Sequence, residues 1–387
     1  MEYQKYVAKN VKAIEISTIR YFFSMVNQVK GAISLCIGEP DFTTPAHINE
    51  AAKKALDEGK TFYTPNAGLL ELRKEISQYL SRRFGLEYNP ENEIIVTIGA
   101  SEAIEVAIRT LIESGDEVLI PQPSFVAYGP CTILAGGQPV YVPTYMEDEF
   151  ALRPDVLEKY ITPKSKILVL PYPNNPTGAV MSRQQLEAIA QVVEKHDLIV
   201  VSDEIYWDLT YGVEHSAFAS IPRMWERTVT ISGLSKSYAM TGWRLGYIAA
   251  PQELAAEILK VHQYSVTCAA TMSQYAAIEA LRNGDEDIAR MREEYDKRRL
   301  FLLSSLRNMG LECFEPRGAF YVFPSIEKTG IPCEEFAQRL LYEAKVAVVP
   351  GTAFGENGRG FVRMAYATSM ENLEEAVKRI KNFITGL

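Results

Sequence analysis

The sequence predicts an α/β fold: a large domain on a mainly parallel, seven-stranded sheet, with a smaller α+β domain beside it. Three observations carry this. Seven short runs rich in Val, Ile and Leu recur through the middle of the chain: IIVTI (94–98), EVLIP (117–121), PVYVP (139–143), KILVLP (166–171), LIVVS (198–202), TVTIS (228–232) and RLGYIAA (244–250). Most are apolar throughout, the pattern of strands covered on both faces. Helical patterns fill gaps between them, and strands alternating with crossover helices make a doubly wound sheet. After residue 252 the texture changes to helix, then to short strand-like pieces.

The clearest helices are SEAIEVAIRTLIES (101–114) and SRQQLEAIAQVVEKH (182–196), the second opening with Ser182 as a candidate N-cap. The gap between Ser232 and Arg244 is too short for a crossover helix, so the run 244–250 is expected antiparallel to 228–232. Residues 252–310 read as helical, followed by AFYVFP (319–324), VAVVPG (346–351), FVRMAYA (361–367) and a closing helix, MENLEEAVKRIKNFI. The expected division is a large domain over 45–289 and a small one formed by 1–44 with 290–387.

Of the 387 residues, 47% are hydrophobic and 23% charged, which is ordinary for a globular chain. A net charge of −9 leaves no basic excess for nucleic acid or an anionic membrane. The five cysteines form no C-x-x-C pair and the four histidines no H-E-x-x-H, so neither a disulfide framework nor a metal site is expected. With no signal-peptide core and no bilayer-length apolar run, the expected location is the cytoplasm.

Four segments carry chemistry, each just after a strand. In TISGLSKSYAMTGWRLGY (230–247), Lys236 lies among hydroxyls with Arg244 eight residues on. A lysine at a strand end is often a surface residue; one that enters a cleft loses water, its pKa falls, and it becomes a nucleophile. In VVSDEIYWDL, Asp203 is either a helix N-cap or a carboxylate at the ligand-binding edge of a parallel sheet, with Tyr206 three residues on. NNPTG is a turn by composition, yet Asn175 could offer an amide to an oxyanion. In VTIGASEAIEVA, the backbone N–H groups at the helix start would face a phosphate, although such turns are common in α/β crossovers.

Together and in this order, these segments closely resemble the aspartate-aminotransferase superfamily, the class I pyridoxal-phosphate (PLP) enzymes of fold type I. The likeness extends over LCIGEPDFTTP (35–45), FYTPNAGLLELR (62–73), PQPSFVAYGP (121–130), RGAFYVFP (317–324) and FVRMAYA (361–367). It implies PLP as cofactor, with Lys236 as the Schiff-base lysine and catalytic base. Asp203 then pairs with the ring nitrogen, and Asn175 and Tyr206 with the phenolic oxygen. Phe125 stacks on the ring. Ala100, Ser101, Glu102, Ser235 and Arg244 match the phosphate contacts. The family often has Ser or Thr where this chain has Gly233, leaving Ser232 as a candidate substitute. Arg363 matches the clamp on the substrate α-carboxylate, with Asn175 and Gly38 beside it. Tyr63 matches a tyrosine donated to the neighbour's phosphate, which implies a homodimer with shared active sites.

The resemblance implies transfer of an amino group between an L-amino acid and a 2-keto acid, with 2-oxoglutarate and glutamate as one pair. The chain looks most like bacterial aminotransferases for aromatic amino acids or N-acetyl-diaminopimelate, a closer likeness carried by IEISTIRYF (14–22) and SYAMTGWR (237–244). A carbon–sulfur β-lyase of the same fold shares the cofactor residues and is the alternative. A sensor domain attached to a regulator needs a DNA-binding module in front, and the motifs begin at about Gly38. Arg109, eight residues beyond Ser101, is a candidate reader of a distal carboxylate, or a plain surface or interface arginine; failing it, specificity falls to apolar positions such as Ile16.

Overall fold

The computed structural model describes residues 1–16, 22, 25, 26 and 28–387; positions 17–21 of IEISTIRYF lie outside the described residues. In chain order the strands are β1 (Ile33–Ser34), β2 (Ile94–Thr97), β3 (Glu117–Gln122), β4 (Gln138–Pro143), β5 (Ser165–Leu170), β6 (Ile199–Asp203), β7 (Thr228–Gly233) and β8 (Gly246–Ala249). The last four are β9 (Tyr321–Val322), β10 (Val346–Ala347), β11 (Val349–Pro350) and β12 (Val362–Ala365).

The seven apolar runs form one sheet, in the spatial order β2-β8-β7-β6-β5-β3-β4. β4, β3, β5, β6 and β7 are mutually parallel, and β8 runs antiparallel to both β7 and β2, as the short connection before it requires. β7 and β8 approach closely at Gly233 and Gly246, which are register partners. A Cβ on Gly233 would lie 2.9 Å from Gly246 Cα and from the Leu245 carbonyl oxygen.

The helix Gly99–Leu111 follows β2 and starts two residues earlier than its apolar pattern suggested. Ala103, Ile104, Ala107 and Ile108 recur at helical spacing and pack with Val118, Val169, Val201, Val229 and Ile231 of the sheet. Each such isoleucine contributes roughly 1.5–3 kcal/mol by leaving water. Arg183–Lys195 is closed by a capping box: Ser182 Oγ accepts from the Gln185 amide at 3.3 Å, and Gln185 Oε1 accepts from the Ser182 amide at 2.8 Å.

The helical stretch is three helices, Gln252–Val266, Thr271–Asn283 and Asp285–Asn308, and the third runs uninterrupted through 289/290. β11-β12-β9 form a small antiparallel sheet, while β1 pairs in parallel with β10. The apolar run VAVVPG thus serves two sheets: Val346–Ala347 pairs with β1 and Val349–Pro350 with β12. Ile33 and Ser34 are thereby fixed to Val346 and Ala347, more than 300 residues later. No helix among the described residues is long and apolar enough to cross a membrane.

Candidate active site

The carboxyl ends of β5, β6 and β7 open into a cavity of about 300 Å³, where open α/β sheets bind ligands. Its lining includes Gly38, Ala100, Ser101, Phe125, Asn175, Asp203, Tyr206, Ser235, Lys236, Arg244 and Arg363. Segments far apart in sequence therefore converge on one space.

Lys236 stands on a short helical turn, Leu234–Ser237, immediately after β7. The turn is anchored by Ser237, whose hydroxyl donates to Asp208 Oδ2 at 2.6 Å. Asp208, itself buried, also accepts from Tyr79 Oη at 2.5 Å and from Arg83 Nη2 at 2.7 Å. Lys236 Nζ donates to the Gly38 carbonyl at 2.5 Å. Burial pushes its pKa down to about 8; Glu39 and Asp203 resist the fall, while Arg363 and Arg244 reinforce it. The amine is therefore much closer to its neutral, nucleophilic form than an exposed lysine.

Asp203 ends β6 with its carboxylate buried. Burial lifts its pKa to about 6, against hydrogen bonds from Tyr128 and the Ile205 amide. Tyr128 donates to Oδ2 at 2.7 Å. Sequence reading singled out Phe125 in PQPSFVAYGP and passed over Tyr128, three residues on, which begins the helix Tyr128–Leu134 and lines the same cavity.

Tyr206 Oη lies 2.8 Å from Tyr321 Oη, a second residue that sequence reading left unassigned. Arg363, on β12, is almost fully buried; it donates to Asn175 Oδ1 at 2.8 Å and to the Cys36 carbonyl at 2.6 Å. Its Nε–H is buried without a partner among the described residues. A buried guanidinium with a spare donor suits an anionic ligand, and the planar fork suits a carboxylate.

At the other end of the cavity, the first turn of Gly99–Leu111 leaves the N–H groups of Gly99, Ala100 and Ser101 without intrahelical partners. A Cβ on Gly99 would stand 2.7 Å from Arg244 Nη2, so the missing side chain lets the guanidinium close on the helix start. Ser235 lines the same end. Donors and a cation gathered there suit a phosphate.

Five candidate residues stand outside the cavity lining. Glu102 does not line the cavity: its carboxylate accepts from the Ile98 amide at 2.5 Å and pairs with His262 Nδ1 at 2.7 Å. Ser232 does not replace the hydroxyl missing at Gly233; it is buried, donates to the Glu204 carbonyl at 3.2 Å and stands outside the cavity. Arg109 is half-exposed, pairs with Glu105 one helical turn away and is not in the lining. Eight residues from Ser101 is about 80° round the helix and about 12 Å along it, so the two side chains diverge. Tyr63 is 87% exposed and Ile16 88%, both outside this chain's cavity.

Residues 30–380 match the family model described as aminotransferase class I and II. An aspartate aminotransferase of Pyrococcus abyssi is 49% identical over 95% of each chain. Aromatic-amino-acid aminotransferase 2 of Thermococcus litoralis is 46% identical over 98% of each. The solved aspartate aminotransferase from Thermus thermophilus with maleate superposes with a TM-score of 0.93 at 40% identity, covering 97% of this chain and 99% of that one. All three are named for amino-group transfer, and none for the lyase alternative. With its sheet, its cavity-lining lysine and this likeness along nearly its whole length, the chain belongs to the class I and II aminotransferases, enzymes that move an amino group between an amino acid and a keto acid.

Proposed function

We propose that the enzyme works with pyridoxal 5′-phosphate held on Lys236. The observation that carries this is the cavity itself: a buried amine of lowered pKa between a carboxylate on one side and a helix start with Arg244 on the other. An amine, an anion for a ring nitrogen and a phosphate cradle form the donor set this cofactor needs.

Ala100 and Ser101 amides, Ser235 and Arg244 bind the phosphate. Phe125 would cover the cofactor ring, Asp203 would keep its nitrogen protonated, and Asn175 and Tyr206 would hold its phenolic oxygen. Arg363, with Asn175 and the backbone at Gly38, binds the substrate α-carboxylate in a fixed orientation. With its amine free, Lys236 would be the base that moves the proton at the substrate Cα. When bound, the cofactor supplies an electron sink for the carbanion formed there.

The assembly proposed is a homodimer with shared active sites, to which each chain gives Tyr63. Phe62 and Tyr63, 81% and 87% exposed side by side, support it, since paired bare aromatics mark interfaces. The proposed division remains a large domain over 45–289 and a small one of 1–44 with 290–387, joined through the continuous helix Asp285–Asn308.

For substrates we infer 2-oxoglutarate and glutamate as one pair and an aromatic amino acid or N-acetyl-diaminopimelate as the other donor. The deciding experiment is a screen of amino donors against the loaded enzyme, following the cofactor spectrum, with 2-oxoglutarate then added. Glutamate and an aromatic donor should both convert the spectrum, and 2-oxoglutarate should restore it. Pyruvate released from cystathionine without a keto-acid acceptor, alongside silence in that screen, would reverse the assignment in favour of a lyase.

A further inference from the structure

Tyr321 stands where the phenol of Tyr206, the guanidinium of Arg363 and the backbone of Gly38 meet. It is fully buried on β9. Its hydroxyl lies 2.8 Å from Tyr206 Oη and 2.8 Å from the point a Cβ on Gly38 would occupy. Its ring centroid is 4.5 Å from Arg363 Cζ. The register explains the last contact: Tyr321 opposes Ala365 on β12, and Arg363, two residues from Ala365 on the same face, takes the diagonal position.

Two phenols sharing one hydrogen bond have two arrangements, because each has a single proton. If Tyr206 donates, its proton is spent on Tyr321 and it offers the cavity only a lone pair. If Tyr321 donates, the proton of Tyr206 stays available for a third group. We propose that Tyr321 is the donor, a positioning residue that turns the Tyr206 proton into the cavity while its ring holds the Arg363 guanidinium in place beside Asn175. The proposal rests on the assignment of Tyr206 to the cofactor's phenolic oxygen.

Relative acidity supports this direction. Burial raises both phenols and Arg363 draws both back, but Tyr206 stays well above the usual phenol range while Tyr321 rises less. The more acidic partner is the better donor. Accepting a bond also strengthens the one Tyr206 gives, by roughly 10–30% for bonds in a chain. Tyr321 further explains Gly38: a side chain there would strike the Tyr321 hydroxyl, so the glycine makes room for it.

The test uses cofactor-loaded Tyr206→Phe, Tyr321→Phe and the double variant, and reads the pH at which the absorbance band of the cofactor on Lys236 changes. Tyr206→Phe removes a donor to the phenolic oxygen and should move the transition to higher pH. Tyr321→Phe, isosteric but without the hydroxyl, should move it the same way by a smaller amount, and the double variant no further than Tyr206→Phe alone. In steady state, Tyr321→Phe keeps the ring on Arg363 and should leave KM for amino acids within about twofold, while Tyr321→Leu should raise it several-fold. A shift in Tyr206→Phe with none in Tyr321→Phe overturns the role of Tyr321. No shift in Tyr206→Phe overturns the assignment of Tyr206, and the role of Tyr321 falls with it.

Discussion

Tyr128 donates its phenolic hydrogen to Asp203 Oδ2 at 2.7 Å, across 75 residues of sequence. The carboxylate that ends β6 thus lines the cavity with a bond on each oxygen, Tyr128 on Oδ2 and the Ile205 amide on Oδ1 at 3.2 Å. Asp203 sits near pKa 6 because burial outweighs that bond and the Ile205 amide together.

Asp203→Ala should still bind the cofactor but lose roughly 10³-fold or more in turnover, because several kcal/mol of charge stabilisation disappear. Tyr128→Phe is the gentler probe. Its hydroxyl lowers the Asp203 pKa, so its loss raises it, and the carboxylate is then neutralised at a higher pH on acidification. The acid limb of the kcat/KM profile should move to higher pH, as a pH–rate series would record. An Asp203→Ala enzyme within tenfold of the parent contradicts the role given to Asp203.

Lys236→Ala should bind no cofactor that borohydride can fix to the protein, and should lose transamination. In the cofactor-free protein, acylation of Lys236 should reach half its limiting rate near pH 8, because burial has lowered the amine's pKa to about that value from 10.5. Mass spectrometry of the labelled peptide follows it. Half-labelling near pH 10 would falsify the buried-amine description.

Arg363→Lys keeps the charge and loses the planar fork. KM should rise about 10–100-fold for every α-amino acid alike, the worth of a charge-assisted hydrogen bond. If one amino acid alone suffers, Arg363 is reading a side chain and not the α-carboxylate.

Gly233→Ser places a Cβ 2.9 Å from two backbone atoms of the β7–β8 pair. The protein should lose roughly 1–3 kcal/mol of stability, the usual cost of overpacking, and should gain no affinity for the phosphate. Thermal melting and cofactor titration check both halves. A variant that melts like the parent and binds more tightly shows that β7 can yield there and that the hydroxyl reaches the cavity.

The large sheet was legible because its strands are covered on both faces, so an apolar run is both the signal and the structural requirement. VAVVPG was legible as apolar but not as two strands, because the division at Val348 is set by two partners, β1 and β12, far away in sequence. The site was legible where a motif keeps chemistry local, as around Lys236, Asp203 and Asn175. Tyr128 and Tyr321 were missed because their contacts with Asp203 and Tyr206 are made by folding across 75 and 115 residues. Of the two readings open for Arg109, the structure fits the surface one, because the helical phase sends its side chain toward Glu105 and away from Ser101.

The bond from Arg363 to the Cys36 carbonyl spans 327 residues, and the strand carrying Arg363 continues into a backbone bond from Ala365 to Leu35. Chains emerge from the ribosome at about 5–20 residues per second, so the 127 residues from Lys236 to Arg363 take about 6–25 seconds to appear. A growing chain therefore carries the lysine well before the arginine that completes its surroundings. The lowered pKa that Arg363 reinforces on Lys236 forms only when that last strand returns to the segment near Cys36, so reactivity and carboxylate recognition are completed by the same late event.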